Sequence, residues 1–456
     1  MQLPNRRMFF ALVTLSFCVF MPVASAVGVF SQLWSFSVPI TPITPISPHA
    51  LDSVGQVVYF GSSVTTQITN YLYALNISNG HEIWRYNTSL PVNYVSHFKN
   101  DNVDYIVAGT GGSTTQTGKS YVYCFNLLSN TTTRWKSINL TSSVISVGSA
   151  QSNVTIGEDV IAGLDNGTVV RLRGDNGAVL WKYPCIGSVF SVTQLKNGSI
   201  IVGTRMTPNQ GNVYCLNADG SLRWGPKYTS PSSILTLVRK FGDINGDGEP
   251  EVIAVFYEAD GFIRVYSGVD GAEFSTPWPF DNHGDRIKDL LCTEDYTGDG
   301  FPDVVIGTED GNLTIVNGFN ASRFCGPVRV GYTVSYIQYM YLYENGVAYL
   351  NKALAVSLMN YTLPSTFTYY IRGVDVSDLT IMREFQTTDT ARNLFNVSNF
   401  TSIYVGDLLF TANNVAYCIS GDTIIFPEFS SQIILVILIV LVWFLMVSLR
   451  RGRLRT

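Results

Sequence analysis

Between about residue 27 and residue 426, apolar residues come in short runs rich in Val, Ile and aromatic side chains. The runs are separated by Gly, Asn and Asp, and no long 3.6-residue period appears outside the two ends of the chain. Runs of this length bounded by turn residues predict strands rather than helices. The pattern also repeats. Leu72-Tyr-Ala-Leu-Asn leads through a turn at Gly80 to Trp84, and Val122-Tyr-Cys-Phe-Asn leads to Trp135. Val170-Arg-Leu leads to Trp181, and Val213-Tyr-Cys-Leu-Asn leads through Gly220 to Trp224. Each copy is a strand, an Asn/Asp-Gly type of turn and a second strand ending in Trp. Fainter copies begin near Phe262, Asn312, Tyr369 and Val415.

Successive copies lie roughly 44 to 55 residues apart, the period of a four-stranded propeller blade. The expected fold is therefore all-β, an eight-bladed propeller of four-stranded antiparallel blades, with seven blades as the alternative. Gln32-Leu-Trp34-Ser-Phe36 matches the final strand of a repeat, while the last copy, at Val415, has only the weak Thr423-Ile-Ile in that place. Pairing first with last would close the ring and remove its open edges. The Pro/Thr/Ile stretch from Pro39 to Pro48 then crosses into blade one.

The two ends read as addresses. Arg6-Arg7, an apolar run from Met8 to Phe20 and Ala24-Ser25-Ala26 have the charge, length and small-residue cleavage pattern of a secretory signal over residues 1–26. Residues 433–449 carry Ser448 as their single polar residue, about the minimum length for a membrane-spanning helix. Arg450, Arg451, Arg453 and Arg455 follow, which orients the tail, 450–456, to the cytoplasm and the propeller, 27–426, to the outside. The expectation is a single-pass cell-surface protein.

The most pointed chemistry lies at 241–256, FGDINGDGEPEVIAVF. Counting from Asp243, oxygen-bearing side chains fall at positions one, three, five and nine (Asp243, Asn245, Asp247, Glu251), with Gly246 and Gly248 letting the backbone fold around an ion. Asp295, Thr297, Asp299 and Asp303 repeat the device, followed by Val304-Val-Ile. Glu249 and Phe301 at the seventh position complete the two sets, with one main-chain carbonyl filling in. Several oxygens from a short segment, closed by a carboxylate, suit Ca2+. An EF-hand would need a bidentate Glu at position twelve, where this chain has Ala254 and Ile306. Asp159-Val-Ile-Ala-Gly lines up with Asp303-Val-Val-Ile-Gly, and Asp104-Tyr-Ile-Val-Ala-Gly is read at the same place. The full ligand set precedes only Glu251 and Asp303, so two structural calcium ions are expected, in blades five and six.

Three resemblances attach to these motifs. The calcium loop running into a strand resembles the FG-GAP repeats of integrin α-chain propellers, with Phe241-Gly242 present in the first copy alone. The Gly-x-x-x-Trp units at Gly80/Trp84, Gly177/Trp181 and Gly220/Trp224 resemble the docking motif of quinoprotein alcohol dehydrogenase-like (PQQ-like repeat) propellers over about residues 30 to 225. The resemblance implies that each Trp packs between neighbouring blades. Pro427-Glu428-Phe429, a membrane span and an Arg cluster are similar to archaeal sorting tails of the Pro-Glu-Phe type, which sortase-like enzymes cut and replace with an anchor; a plain anchor is the alternative.

Setting aside Arg6, Arg7 and the four tail arginines leaves 23 of the 29 basic residues against 34 acidic ones, a net of −11. That argues against nucleic acid or anionic lipid as partners of the ectodomain as a whole. Twelve Asn-x-Ser/Thr sites, among them Asn76, Asn87, Asn139, Asn166, Asn320 and Asn399, make it a candidate glycoprotein. Six cysteines remain after the signal, of which Cys124, Cys215 and Cys418 occupy equivalent places, as small buried strand residues would; one or two disulfides at most are expected. The four histidines are scattered, and His283 in Asp281-Asn-His-Gly-Asp285 has the most polar company. The expected function is a calcium-binding adhesion, binding or scaffold module for an extracellular protein or glycan. The alternative is a carbohydrate-active or quinoprotein-like redox enzyme on the same frame, which a cluster of perturbed carboxylates or a stacked cofactor in the central funnel would favour.

Overall fold

The computed structural model describes residues 28–420, apart from positions 30, 38–50, 55, 64, 66–68, 128–132, 153–156, 207–209, 228–233, 258–261, 275–277, 279, 282–284, 345–346, 363–365, 398–406 and 413–414. The expected signal sequence, the Pro39–Pro48 crossing, His283, the Pro-Glu-Phe motif, the membrane span and the basic tail lie outside the described residues. Among the described residues no helix is long and apolar enough to cross a membrane.

Every described element is a strand, and the strands form eight antiparallel sheets. Blade 1 comprises Leu51–Val54, Val57–Gly61, Tyr71–Asn76 and Glu82–Asn87; blade 2 comprises Val92–Asn100, Val103–Thr110, Val122–Asn126 and Trp135–Lys136. Blade 3 is built from Val144–Gln151, Glu158–Leu164, Thr168–Leu172 and Val179–Pro184, and blade 4 from Ser188–Gln194, Ile200–Met206, Gln210–Leu216 and Leu222–Lys227. Blade 5 holds Ile234–Lys240, Val252–Tyr257, Phe262–Tyr266 and Phe280–Asp281, and blade 6 holds Ile287–Cys292, Val304–Thr308, Asn312–Val316 and Arg323–Arg329. Blade 7 runs Thr333–Glu344, Val347–Thr362, Thr366–Asp375 and Ile381–Thr387, with Gly28–Val29 added beside its last strand. Blade 8 takes Arg392–Val397, Asp407–Ala412 and Val415–Ser420 from the C-terminal side and borrows Ser31–Ser37 as its fourth strand. Eight blades are present, and the ring closes as the sequence implied, with Trp34 opposite Cys418.

Burial across a blade follows from stacking. The second strands face a neighbouring blade on both sides, so Val57–Gly61 and Val304–Thr308 are buried along their whole length. The fourth strands lie on the outside, and Glu82–Asn87 buries only Trp84 fully. The tryptophans link one blade to the next. Trp34, Trp84, Trp135, Trp181, Trp224 and Trp278 each donate the indole N–H to a main-chain carbonyl of the following blade, those of Ile77, Leu127, Gly174, Ala218, Gly268 and Gly318, at 2.7–3.4 Å. The glycine of each docking motif is the seat for the previous blade's ring: Gly80 has φ near +69°, and a Cβ there would lie 2.6 Å from the Trp34 indole. Gly177 and Gly220 stand in the same relation to Trp135 and Trp181. Truncating such a buried indole costs roughly 3 to 5 kcal/mol. The packing role expected of these residues is what the structure shows, and Trp278 joins the series although its longer spacing from Gly271 hides it in the sequence.

Cys124, Cys215 and Cys418 sit directly opposite Trp135, Trp224 and Trp34 in the strand register and are buried. Among the described residues no cysteine is joined in a disulfide. Burial pushes the Cys185 and Cys292 thiols up to about 12, which keeps them protonated and unreactive at neutral pH.

Candidate metal-binding loops and central channel

Both candidate loops connect the first and second strands of their blades. Their ends are pinned by main-chain pairs: Phe241 N–H to Glu251 O at 2.7 Å in blade 5, and Thr293 N–H to Asp303 O at 2.8 Å in blade 6. Between these pins the chain turns on its first aspartate. Asp243 Oδ1 and Oδ2 accept from the amides of Gly246 and Gly248 at 2.7 and 2.8 Å. Asp295 does the same with Gly298 and Gly300 at 2.6 and 2.7 Å. Gly246 and Gly248 need their identity because φ is +77° and +90° there, a region that other residues rarely enter.

The remaining oxygens are brought to the same turn. Asn245 Oδ1 accepts from Asp247 N–H, Asp247 Oδ1 accepts from Glu249 N–H, and Asp299 Oδ1 accepts from Phe301 N–H. Asn245 Nδ2 also donates to Asp247 Oδ2 at 2.9 Å. Two expected residues contribute less by their side chains. Glu249 turns away to accept from the Asn197 amide of blade 4, and the Phe301 ring stacks on Phe319 at 4.6 Å. Their main-chain carbonyls remain the atoms a cation would use.

The ninth-position carboxylates close the loops from below and are fully buried. Glu251 Oε2 accepts from the Ile244 amide at 2.8 Å, and its Oε1 is buried with no hydrogen-bond partner. Burial, with Asp243 and Asp247 adding like charge, pushes this carboxyl up to about 7. Asp303 is provided for: Oδ2 accepts from Tyr296 and Thr297 N–H at 2.7 Å each, and Oδ1 accepts from Gly318 N–H at 3.0 Å. Asn317, which the sequence reading did not single out, reaches into the second loop, its Nδ2 donating to Asp299 Oδ2 and Thr297 Oγ1 at 2.7 and 2.8 Å. Its sequence signal is the repeat itself: it stands directly before an indole-accepting residue, as Asn76, Asn126 and Asn217 do, where blade 5 has Ser267.

The chemistry of the donor set fits a hard cation: carboxylate, amide, hydroxyl and main-chain oxygens on one short turn. Glu251 Oε1 is the strongest test of that fit, because a buried carboxylate oxygen without a partner is costly. Among the described residues no three Asp, Glu, His or Cys side chains gather as a metal site by themselves. The loops would hold an ion only with their amide, hydroxyl and carbonyl oxygens included.

The register corrects one alignment. Tracing each blade from its docking Trp puts Tyr105, not Asp104, level with Asp159. Asp104 faces Lys99 instead, at 3.9 Å.

At the centre of the ring is a cavity of about 400 Å³ that sequence spacing could not reveal. Tyr94, Phe190, Arg205, Arg239, Lys288, Asp289 and Tyr336 line it, from five blades. Asp289 Oδ2 accepts from Ile337 N–H of blade 7 at 2.8 Å, and Oδ1 lies 3.9 Å from Arg239. Burial raises its carboxyl above the ordinary range against the pull of Arg239. Glycosidic cleavage by the two-carboxylate route requires a pair, and Asp289 is the one carboxylate among the described lining residues.

Residues 31–183 match the family model described as outer membrane protein assembly factor BamB, and residues 243–306 match that of the FG-GAP-like repeat. No curated protein sequence matches the chain. Among solved structures, BamB from Moraxella catarrhalis is 14% identical with a TM-score of 0.53, covering 86% of this chain and 100% of its own. Sqt1 from Chaetomium thermophilum, solved bound to the N-terminus of the ribosomal protein L10, is 13% identical with a TM-score of 0.60, covering 85% and 99%. The computationally designed Ika8 protein is 13% identical with a TM-score of 0.59, covering 85% and 99%. At such identities the likeness is one of fold. The chain is an eight-bladed propeller with PQQ-like, BamB-type repeats in its first blades and FG-GAP-like repeats in blades 5 and 6, an architecture that fits a binding or scaffold module.

Proposed function

We propose that this chain is a cell-surface propeller, held at the membrane by its C-terminal segment, that binds an extracellular protein or glycan and is stiffened by two structural calcium ions. The single observation supporting the metal is Glu251, a buried carboxylate with one unpartnered oxygen under a turn already lined by Asp243, Asn245 and Asp247. A bound Ca2+ supplies positive charge that offsets the repulsion among these oxygens. The chain's own residues do the rest. Asp243 and Asp295 shape the turns, and Glu251 and Asp303 tie them to the second strands. Because each turn provides most of its own ligands, little room is left for a substrate, and the role is structural.

The binding role rests on architecture. Fold alone does not give a ligand, but a closed ring presents loops and a channel on a rigid frame, and Sqt1, of similar fold, was solved with a segment of another protein bound. Anchorage rests on the sequence of residues 433–456.

A thermal melt with and without chelator tests the metal reading. Chelation is expected to lower the melting temperature of the wild type, with Asp247→Ala and Asp299→Ala each removing about half of that shift, as mass action requires of two independent sites. An unchanged wild-type melt would mean that the loops are empty turns. Protease added to intact cells is expected to remove the propeller, and mature protein lacking residues 450–456 would select the sortase-like tail over the plain anchor.

A further inference from the structure

The central cavity carries charge opposite to that of the molecule. The chain has a net charge of −5, yet among the described residues the cavity is lined by Arg205, Arg239 and Lys288 against one carboxylate, Asp289. Arg205 is held in place by the main-chain carbonyls of Leu235 and Thr236 at 3.2 and 3.3 Å, with its guanidinium over the Phe190 ring at 4.9 Å. Arg239 touches the Val238 carbonyl and stands 3.9 Å from Asp289, and its side chain is half exposed to the channel. Lys288 Nζ is 3.6 Å from Glu309. A cleft lined by cations with low-dielectric walls focuses the field and concentrates anions. Arginine in particular suits planar or forked oxyanions.

The other lining groups narrow the class of anion. Tyr94, Phe190 and Tyr336 bring aromatic surface, and Ser191, Thr236 and Ser335 bring small polar groups. A volume of about 400 Å³ lies in the lower part of the range for ligand pockets and suits one or two sugar rings rather than a folded chain. We propose that this channel binds an acidic sugar, a uronate unit of a glycan, with Arg239 and Lys288 on its charge and the aromatic rings against its apolar face. This rests on the binding reading above and names its ligand class. It does not involve the calcium loops, so the chelator melt stands or falls separately.

The test is calorimetric titration of the full-length protein with three probes: a disaccharide of glucuronate and N-acetylglucosamine, neutral lactose, and inorganic sulfate. The acidic disaccharide is expected to bind at one site, with lactose and sulfate each at least about tenfold weaker, a difference of about 1.4 kcal/mol. Arg239→Gln and Lys288→Gln are each expected to weaken it about fivefold or more, because each removes a charge contact. Circular dichroism and melting temperature of both variants should match the wild type, and if one fails to fold the other carries the test. Equal binding of lactose, equal binding of sulfate, no binding of the acidic disaccharide, or wild-type affinity in a folded variant would each overturn the proposal.

Discussion

The loops of blades 5 and 6 have the same spacing, the same aspartate-to-glycine hydrogen bonds and the same seat on the second strand, but they treat the buried carboxylate differently. In blade 6 the shorter Asp303 stays close to the main chain, where three amides and the hydroxyl of Thr297 surround it. In blade 5 the extra methylene of Glu251 carries the carboxylate further into the loop, where only the Ile244 amide meets it. Blade 3 gives a third answer at the equivalent position. Asp159 is fully buried with Arg171, Nε donating to Oδ2 at 2.9 Å, and the guanidinium also donates to the carbonyls of Ala218 and Gln151. A carboxylate at the head of the second strand is thus stabilised by main-chain amides and a hydroxyl in blade 6 and by a buried arginine together with the Gly174 amide at 3.1 Å in blade 3, and is incomplete in blade 5. The lesson is that one repeat position can keep its charge while the source of compensation changes, and the incomplete copy is where an external cation has most to offer.

The largest expected effect separates the two loops directly. In chelator, Asp303→Ala should cost about 2 to 3 kcal/mol, because it strands the buried amide of Gly318 and the part-buried amides of Tyr296 and Thr297 at roughly 1 kcal/mol each or somewhat less. Glu251→Ala, stranding only Ile244, should cost about 1 kcal/mol or less under the same conditions. Denaturant unfolding of the two variants measures this, and equal costs would remove the distinction.

Next comes pH. The Glu251 carboxyl is raised to about 7 by burial, so the folded chain keeps a proton that the unfolded chain has already released above about 4.5. Calcium-free protein should therefore lose stability as pH rises from about 4.5 to about 7. Melts in chelator across that window should show the fall in the wild type and lack it in Glu251→Gln. Added calcium should flatten it, since the cation takes the place of the proton.

The smallest effect concerns Asn317. Asn317→Ala should cost about 1 kcal/mol through its lost hydrogen bonds and should weaken calcium binding at the second loop while leaving the first unchanged. Isothermal titration of this variant beside Asp247→Ala would show whether the sites are independent. Loss of both sites in Asn317→Ala would mean that they are coupled.

Much of this molecule could be read from local sequence, because a propeller is made of contacts that recur at a fixed period. The eight strand-turn-strand copies, the glycines under the indoles of Trp34, Trp135, Trp181 and Trp224, the closing strand at Trp34 and the Asp/Gly turns are short-range or repeated, so one chain displays them several times over. What it could not display were quantities set by three-dimensional surroundings. Whether Glu251 is satisfied depends on which amides the folded loop brings to its side chain, and Asn317 enters the second loop only because the third strand of its blade ends beside it. Asp104 slipped by one place because an apolar run gives no register mark, whereas the Trp-to-Cys pairing does. The channel is the clearest case. Its cations come from blades 4, 5 and 6 and its rings from blades 2, 4 and 7, one or two residues per repeat, so no window of the sequence holds the site. Period and turn chemistry are local and determined the ring; the charge gathered at its axis is a sum over distant blades and was decided only when the ring closed.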